Sequence, residues 1–308
     1  MITVKETNYS VFGKCAVISN GKTEVYVTLD LGPRIIRYAV CGKDNMMWEN
    51  TDLDVGNKGE DFDELFYKGA EWKIYGGHRM WLSPEYRPRT YYPDNEPVEY
   101  ELLPNGVIAK PKRQIANQVR YEITVTMNDD GVVNVKHVVF NENPFDIECA
   151  IWALSVTDQN GMLVLPVTQK DTGLLSNRVL ALWPYAKMND KRVYWGDKFI
   201  SLTQDPNATC AFKLGLSNED AYAMLYNHDC MMVKKFDFHP DAIYPDGGVC
   251  YEAYTSAEML ESESLGALVR LAPGESSEHN EYWTLFDNVK RPKKDDEAAF
   301  EADVKKYV

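Results

Sequence analysis

The stretch Val119–Met127 alternates apolar and polar residues without interruption, turns at Asn128-Asp129-Asp130-Gly131 and returns through the β-prone run 132–140. A period of two sends every second side chain to one face, which is the pattern of an antiparallel ribbon with one buried side. The same grammar recurs. Residues 15–19 and 23–29 flank Asn20-Gly21-Lys22, and residues 100–103 and 107–109 flank Pro104-Asn105-Gly106. Asn-Gly between two β-prone runs is a hairpin signal. Leu31-Gly32-Pro33-Arg34 breaks the chain before it resumes at 35–40, and residues 46–53 are expected to complete a first small sheet. From 147 to 286 short β-prone runs follow one another between turn residues, and only 295–307 has helical spacing, through Ala298, Phe300, Val304 and Tyr307. Neither a linker nor a repeat interrupts this order. The expectation is an all-β chain, residues 1–308 as one domain, built as a sandwich of large antiparallel sheets with a short C-terminal helix.

Composition narrows the function. The formal net charge is −14 and no basic patch interrupts it, which argues against nucleic acid and anionic membrane surfaces as partners. The six cysteines are scattered with no C-x-x-C pair, so neither a zinc site nor a redox motif is supported, and free thiols are expected. The first residues lack the apolar core of a signal peptide, and the reading is of a cytoplasmic protein. The phosphate-binding, dinucleotide-binding, nucleophile-elbow and zinc-protease motifs are all missing, and neither a cofactor nor a metal is expected. The acidic segment 54–70 reads as a solvated loop with a short helix, because it lacks calcium-loop spacing.

Polar chemistry concentrates in Tyr75-Gly76-Gly77-His78-Arg79-Met80-Trp81-Leu82-Ser83-Pro84-Glu85. Two glycines at its start allow positive φ or a close backbone approach. His78 suits proton transfer to a sugar oxygen. Arg79 offers fixed donors, Trp81 a stacking face, and Glu85 a carboxylate. A second cluster lies late in the chain, where Glu252 sits among apolar and aromatic residues, and Glu261 and Glu263, two apart, share one strand face. Lys170, Trp183 and Asp246 are weaker candidates for substrate contacts, and His137, inside the alternating ribbon, reads as structural.

Gly76-Gly77-His78-Arg79-Met80-Trp81 with Pro84-Glu85 resembles the signature of an uncharacterised family in the galactose mutarotase-like, or aldose 1-epimerase-like, superfamily. Leu182-Trp183-Pro184-Tyr185, Tyr244-Pro245-Asp246-Gly247-Gly248, Glu261-Ser262-Glu263-Ser264-Leu265-Gly266 and Leu271-Ala272-Pro273-Gly274-Glu275 extend the resemblance over most of the chain. It implies a supersandwich with a sugar cleft on one concave face and a small carbohydrate as partner. It also implies a glutamate base in a Gly-x-x-x-Glu context, which Gly248 and Glu252 match. The epimerases' mid-chain histidine has no counterpart in Ala150-Ile151-Trp152-Ala153-Leu154, so the acid role is assigned to His78 by proximity. Alternatives are an isomerase or lyase on an acidic or modified sugar, or a carbohydrate-binding or sensing protein without turnover. The oligomeric state stays open.

Overall fold

A computed structural model describes residues 1–308. The alternating runs become two large antiparallel sheets. In the eleven-stranded sheet the order is Thr3–Asn8, Lys14–Ser19, Thr23–Thr28, Ile35–Val40, Gly77–Ser83, Ile147–Thr157, Leu260–Leu265, Tyr251–Thr255, Phe212–Leu216 and Leu180–Leu182, with Val269–Leu271 pairing the far end of Ile147–Thr157. The ten-stranded sheet runs Val193–Trp195, Phe199–Thr203, Met162–Pro166, Tyr222–Asn227, Cys230–Phe236, Ser276–Asp287, Val133–Asn141, Val119–Met127, Gly106–Lys110 and Glu99–Leu103. The fold is therefore an all-β sandwich of the expected class.

The main core lies between the sheets. It joins Ile35, Met80 and Leu214 from one to Val135, Leu163 and Leu225 from the other. The eleven-stranded sheet is also covered on its outer face, where Phe62, Trp72, Trp81, Trp152, Leu154 and Met259 form a second apolar cluster. Strand Ile147–Thr157 shows the result, since every residue from Cys149 onward is buried although side chains alternate. A strand covered on both faces reads as a near-continuous apolar run.

The C-terminal helix, Glu297–Tyr307, seats Phe300 against Phe199 and the outer face of the other sheet. Asp296 caps it by accepting a hydrogen bond from the Ala299 amide at 3.1 Å. The acidic segment holds the short helix Glu60–Leu65 beside the ribbon Gly56–Lys58 and Glu71–Lys73. Residues 46–53 do not complete a small sheet. They form only the isolated bridges Met47–Thr157 and Glu49–Gly76, and the first four strands are one edge of the eleven-stranded sheet.

The two glycines entering strand Gly77–Ser83 meet both needs anticipated for them. Gly76 has φ 87° and Gly77 φ 65°. A Cβ would stand 2.0 Å from the Trp48 carbonyl oxygen in the first case and 2.4 Å from that of Ile35 in the second. The histidine, arginine and tryptophan that follow are thus fixed against neighbouring backbone on both sides.

Candidate functional site: two polar clusters on opposite faces of one sheet

Strand pleating separates residues that are adjacent in sequence. In Gly77–Ser83, Met80 joins the inter-sheet core while Trp81 joins the outer cluster. His78 therefore points inward with Met80, and Arg79 points outward with Trp81. The neighbouring strands keep register with it. Arg79 pairs across Leu154 with Glu263, and Glu263 pairs with Glu252 and that residue with Gly215. One row further along, Val156, Glu261, Tyr254 and Lys213 line up in the same way. All the outward members of these rows lie on one face.

There they border a cleft of about 410 Å³, lined among others by Arg79, Trp81, Glu85, Trp152, Trp183, Tyr185, Lys213 and Glu261. Lys213 is the hub. Its Nζ donates to Glu263 Oε2 at 3.1 Å and forms an ion pair with Glu252 Oε2 at 2.6 Å. The same ammonium stands 4.5 Å from the Trp152 ring centre and 4.6 Å from that of Trp183. Trp152 Nε1 donates to Glu263 Oε2 at 2.8 Å. Arg79 lies over Trp81 at 4.3 Å and Trp72 at 5.5 Å, and its Nη2 reaches Glu261 Oε1 at 3.3 Å. Glu252 and Glu263 sit beneath Lys213, at the floor, whereas Glu261 borders the cleft directly.

Burial drives the Glu252 carboxyl well above the usual range. Lys213 opposes the shift and the Glu263 charge adds to it. Burial raises Glu261 too, against the pull of Arg79. For Lys213, burial works against the charge, but Glu263 and Glu252 outweigh it and hold the ammonium ionised. Several buried polar atoms here lack any hydrogen-bond partner, namely Arg79 Nε and Nη1 and Glu263 Oε1. Such atoms are rare in folded proteins and need a reason.

His78 is not part of this cleft. It is wholly buried between the sheets with His137, His279 and Glu281. The acid role assigned to it opposite Glu252 is corrected by the pleat, because none of Glu252, Glu261 and Glu263 shares its face. His137 Nδ1 donates to the His279 carbonyl at 3.0 Å, which leaves its Nε2 to accept from His78 Nε2 at 2.7 Å, and His78 Nδ1 then accepts from the Ser155 hydroxyl at 2.8 Å. On the other side His279 Nε2 donates to Ser264 Oγ at 2.8 Å, and Ser264 donates to Glu281 Oε1 at 2.6 Å. Glu281 also accepts from Trp283 Nε1 at 2.9 Å and meets Lys234 Nζ at 2.8 Å.

This set of bonds requires neutral imidazoles. Burial supplies that condition, lowering His78 and His279 well below the ordinary value and His137 in the same direction. Donor atoms of His78, His137 and Glu281 lie within 4.8 Å of one another, close enough in principle for a metal ion. The histidine nitrogens and Glu281 are already committed to hydrogen bonds, and the Lys234 ammonium stands against Glu281. The donor set fits a closed hydrogen-bond network better than a cation site.

The remaining sequence candidates separate. Trp183 and Glu85 border the cleft, and Glu85 accepts from the Tyr91 hydroxyl. Lys170 is exposed, 3.8 Å from Glu219, and outside the cleft lining. Asp246 occupies an exposed turn with φ 52° and reaches Glu252 only as a distant charge. Sequence reasoning missed Lys213, Trp152, Tyr185 and Tyr254. The signal for Lys213 was a lone lysine in the apolar run Ala211-Phe212-Lys213-Leu214-Gly215-Leu216. A charge in such a run is buried only when partnered.

No protein-family model matches the chain, and no curated protein matches it in sequence. Solved structures do match in shape. A protein from Klebsiella pneumoniae provisionally named an aldose 1-epimerase superposes with TM-score 0.59 at 13% identity, covering 95% of this chain and 83% of its own. A galactose mutarotase-like protein from Lactobacillus casei gives 0.53 at 11% identity, with 88% of this chain and all of the other covered at 100%. A TPR-domain containing protein from Parabacteroides distasonis gives 0.55 at 13% identity over 91% of this chain, which spans about half, 49%, of that longer protein. With its two large antiparallel sheets and these neighbours, the chain has the galactose mutarotase-like fold.

Proposed function

We propose that the outer face of the eleven-stranded sheet binds a small carbohydrate and exchanges protons at its anomeric centre, as an enzyme of aldose 1-epimerase type. The observation that carries this reading is the convergence of Glu252, Glu261 and Glu263 with Lys213 and Arg79 in an aromatic-walled cleft of about 410 Å³. Aromatic faces pack against the apolar faces of a sugar ring, while carboxylates and fixed cationic donors meet its hydroxyls. Mutarotation needs a base for the anomeric hydroxyl proton and a donor for the ring oxygen as the C1–O5 bond opens. Carboxyls raised by burial toward the working pH suit both steps. Glu261, which borders the cleft, is assigned the direct contact. Glu252 keeps a part in proton exchange and acts from beneath Lys213. Arg79, Trp81, Trp183 and Glu85 position the ring.

NMR of anomer equilibration tests the reading. Glu261→Gln should lose roughly 10²–10⁴-fold in exchange rate, the usual range for a positioned acid or base, and Glu252→Gln a smaller factor. Wild-type rates no faster than buffer across common aldoses would sink the enzyme reading. The second reading, sugar binding without turnover, is favoured by one observation: no imidazole reaches the cleft. It predicts a ligand-dependent rise in melting temperature with no exchange.

A further inference from the structure

Two carboxyl groups, Glu85 and Glu261, border the cleft and two more, Glu252 and Glu263, lie beneath it, against two cations, Arg79 and Lys213, so acidic groups outnumber cations by two at this site. Both cations are committed. Lys213 bridges Glu252 and Glu263, and Arg79 lies against Glu261. Lys170, the one further cation that sequence reasoning had placed near the cleft, lies outside it beside Glu219. Arg79 Nε and Nη1 are open donors, but a sugar acid would meet no cation that lacks a carboxylate already against it, and an adverse field. The excess, in contrast, lacks a counter-charge. Glu263 is fully buried and its Oε1 has no partner.

The walls add a second constraint. Trp152 and Trp183 already flank an ammonium, that of Lys213, at 4.5 and 4.6 Å, and Tyr91 and Trp81 continue the aromatic lining toward Glu85 and Glu261. Aromatic faces beside carboxylates are the chemistry that recognises organic cations. We infer that the cleft selects a sugar bearing an amine, whose ammonium supplies the missing positive charge beside Glu261 and Glu85, and rejects sugar acids and sugar phosphates. This rests on the carbohydrate reading above and goes beyond it by naming the substrate class.

Titration calorimetry near neutral pH with glucosamine, glucose, glucuronate and glucose 6-phosphate tests the inference. In parallel, quenching or shift of tryptophan fluorescence is followed with tetramethylammonium and with acetate, which report the cleft's charge preference without a sugar. Glucosamine should bind about tenfold tighter than glucose, the size of a partly desolvated cation–aromatic contact, and the two acids should not bind. Glu85→Gln, at an exposed position that leaves the core intact, should narrow the difference between glucosamine and glucose. Equal affinity for the two, or tighter binding of either acid, overturns the inference while leaving the carbohydrate reading standing. If no sugar binds but tetramethylammonium perturbs the fluorescence and acetate does not, the carbohydrate reading falls and the cation preference holds. If neither small ion is preferred and no sugar binds, both fall.

Discussion

The two faces of the eleven-stranded sheet carry two polar clusters built from alternate residues of the same strands, and they differ in completeness. On the inner face, none of the buried side-chain atoms of His78, His137, His279, Ser155, Ser264, Glu281 and Lys234 lacks a partner. On the outer face, atoms of Arg79 and Glu263 are left without one. A closed network specifies one packing of the sheets and leaves nothing for a ligand. An open one in a cleft is poised to be completed from outside. Proximity in sequence to reactive residues therefore misleads here, for His78 and Arg79 are neighbours in the chain and belong to different chemistry.

The sharpest way to break this contrast is to damage each face in turn. Lys234→Met leaves Glu281 as a buried charge without its cation and should cost about 3–5 kcal/mol in unfolding free energy by chemical denaturation, the range for breaking a buried pair. If that variant is as stable as the parent, the inner cluster is not structural. Acidification should act on the same face. The three buried imidazoles have folded values below the ordinary 6.5, so the folded state binds fewer protons than the unfolded chain. Their contribution is complete above about pH 6.5 and is lost as pH falls below it. The positive charges of Lys234, Arg79 and Arg34 add to the lowering of His78, and the Glu281 charge opposes it at His137. Melting curves from neutral to mildly acidic pH should show the decline, and a flat profile would contradict it.

The outer face should respond in the opposite manner, with large changes in function and small ones in stability. For Glu252 and Glu261 the folded values lie above the ordinary carboxyl value of 4.5, so these groups weaken the fold as pH rises through that value. Replacement by glutamine, which stays neutral, should leave denaturation midpoints at neutral pH nearly unchanged or slightly higher, while anomer exchange falls. Trp183→Ala, at a half-buried wall position beside Lys213, should weaken sugar binding by roughly tenfold with little loss of stability, as expected for one stacking and cation–aromatic contact. The smallest effect belongs to Lys170→Ala, exposed and remote, which should change neither binding nor exchange. A measurable effect there would relocate the site.

Much of this architecture was legible in the chain. The ribbon Val119–Met127 with Val133–Asn141 and the hairpin at Asn20-Gly21 follow from local alternation and turn chemistry, and the helix Glu297–Tyr307 from its spacing. The outer carboxylates were found because three glutamates in apolar strands stand out, whereas Lys213 and Trp152 were missed because each looked like one more core residue. Residues 46–53 misled because β-prone composition does not say whether a free strand edge is within reach.

By itself, then, the sequence determined that the chain forms antiparallel strands, where they turn, and which residue types could hold protons. Only the tertiary structure decided which of those residues meet. A strand's pleat puts neighbours on opposite faces, and the register between strands distant in sequence decides what each face finds opposite. That register is set by long-range pairing, such as Arg79 across Leu154 to Glu263, and local pattern carries no record of it.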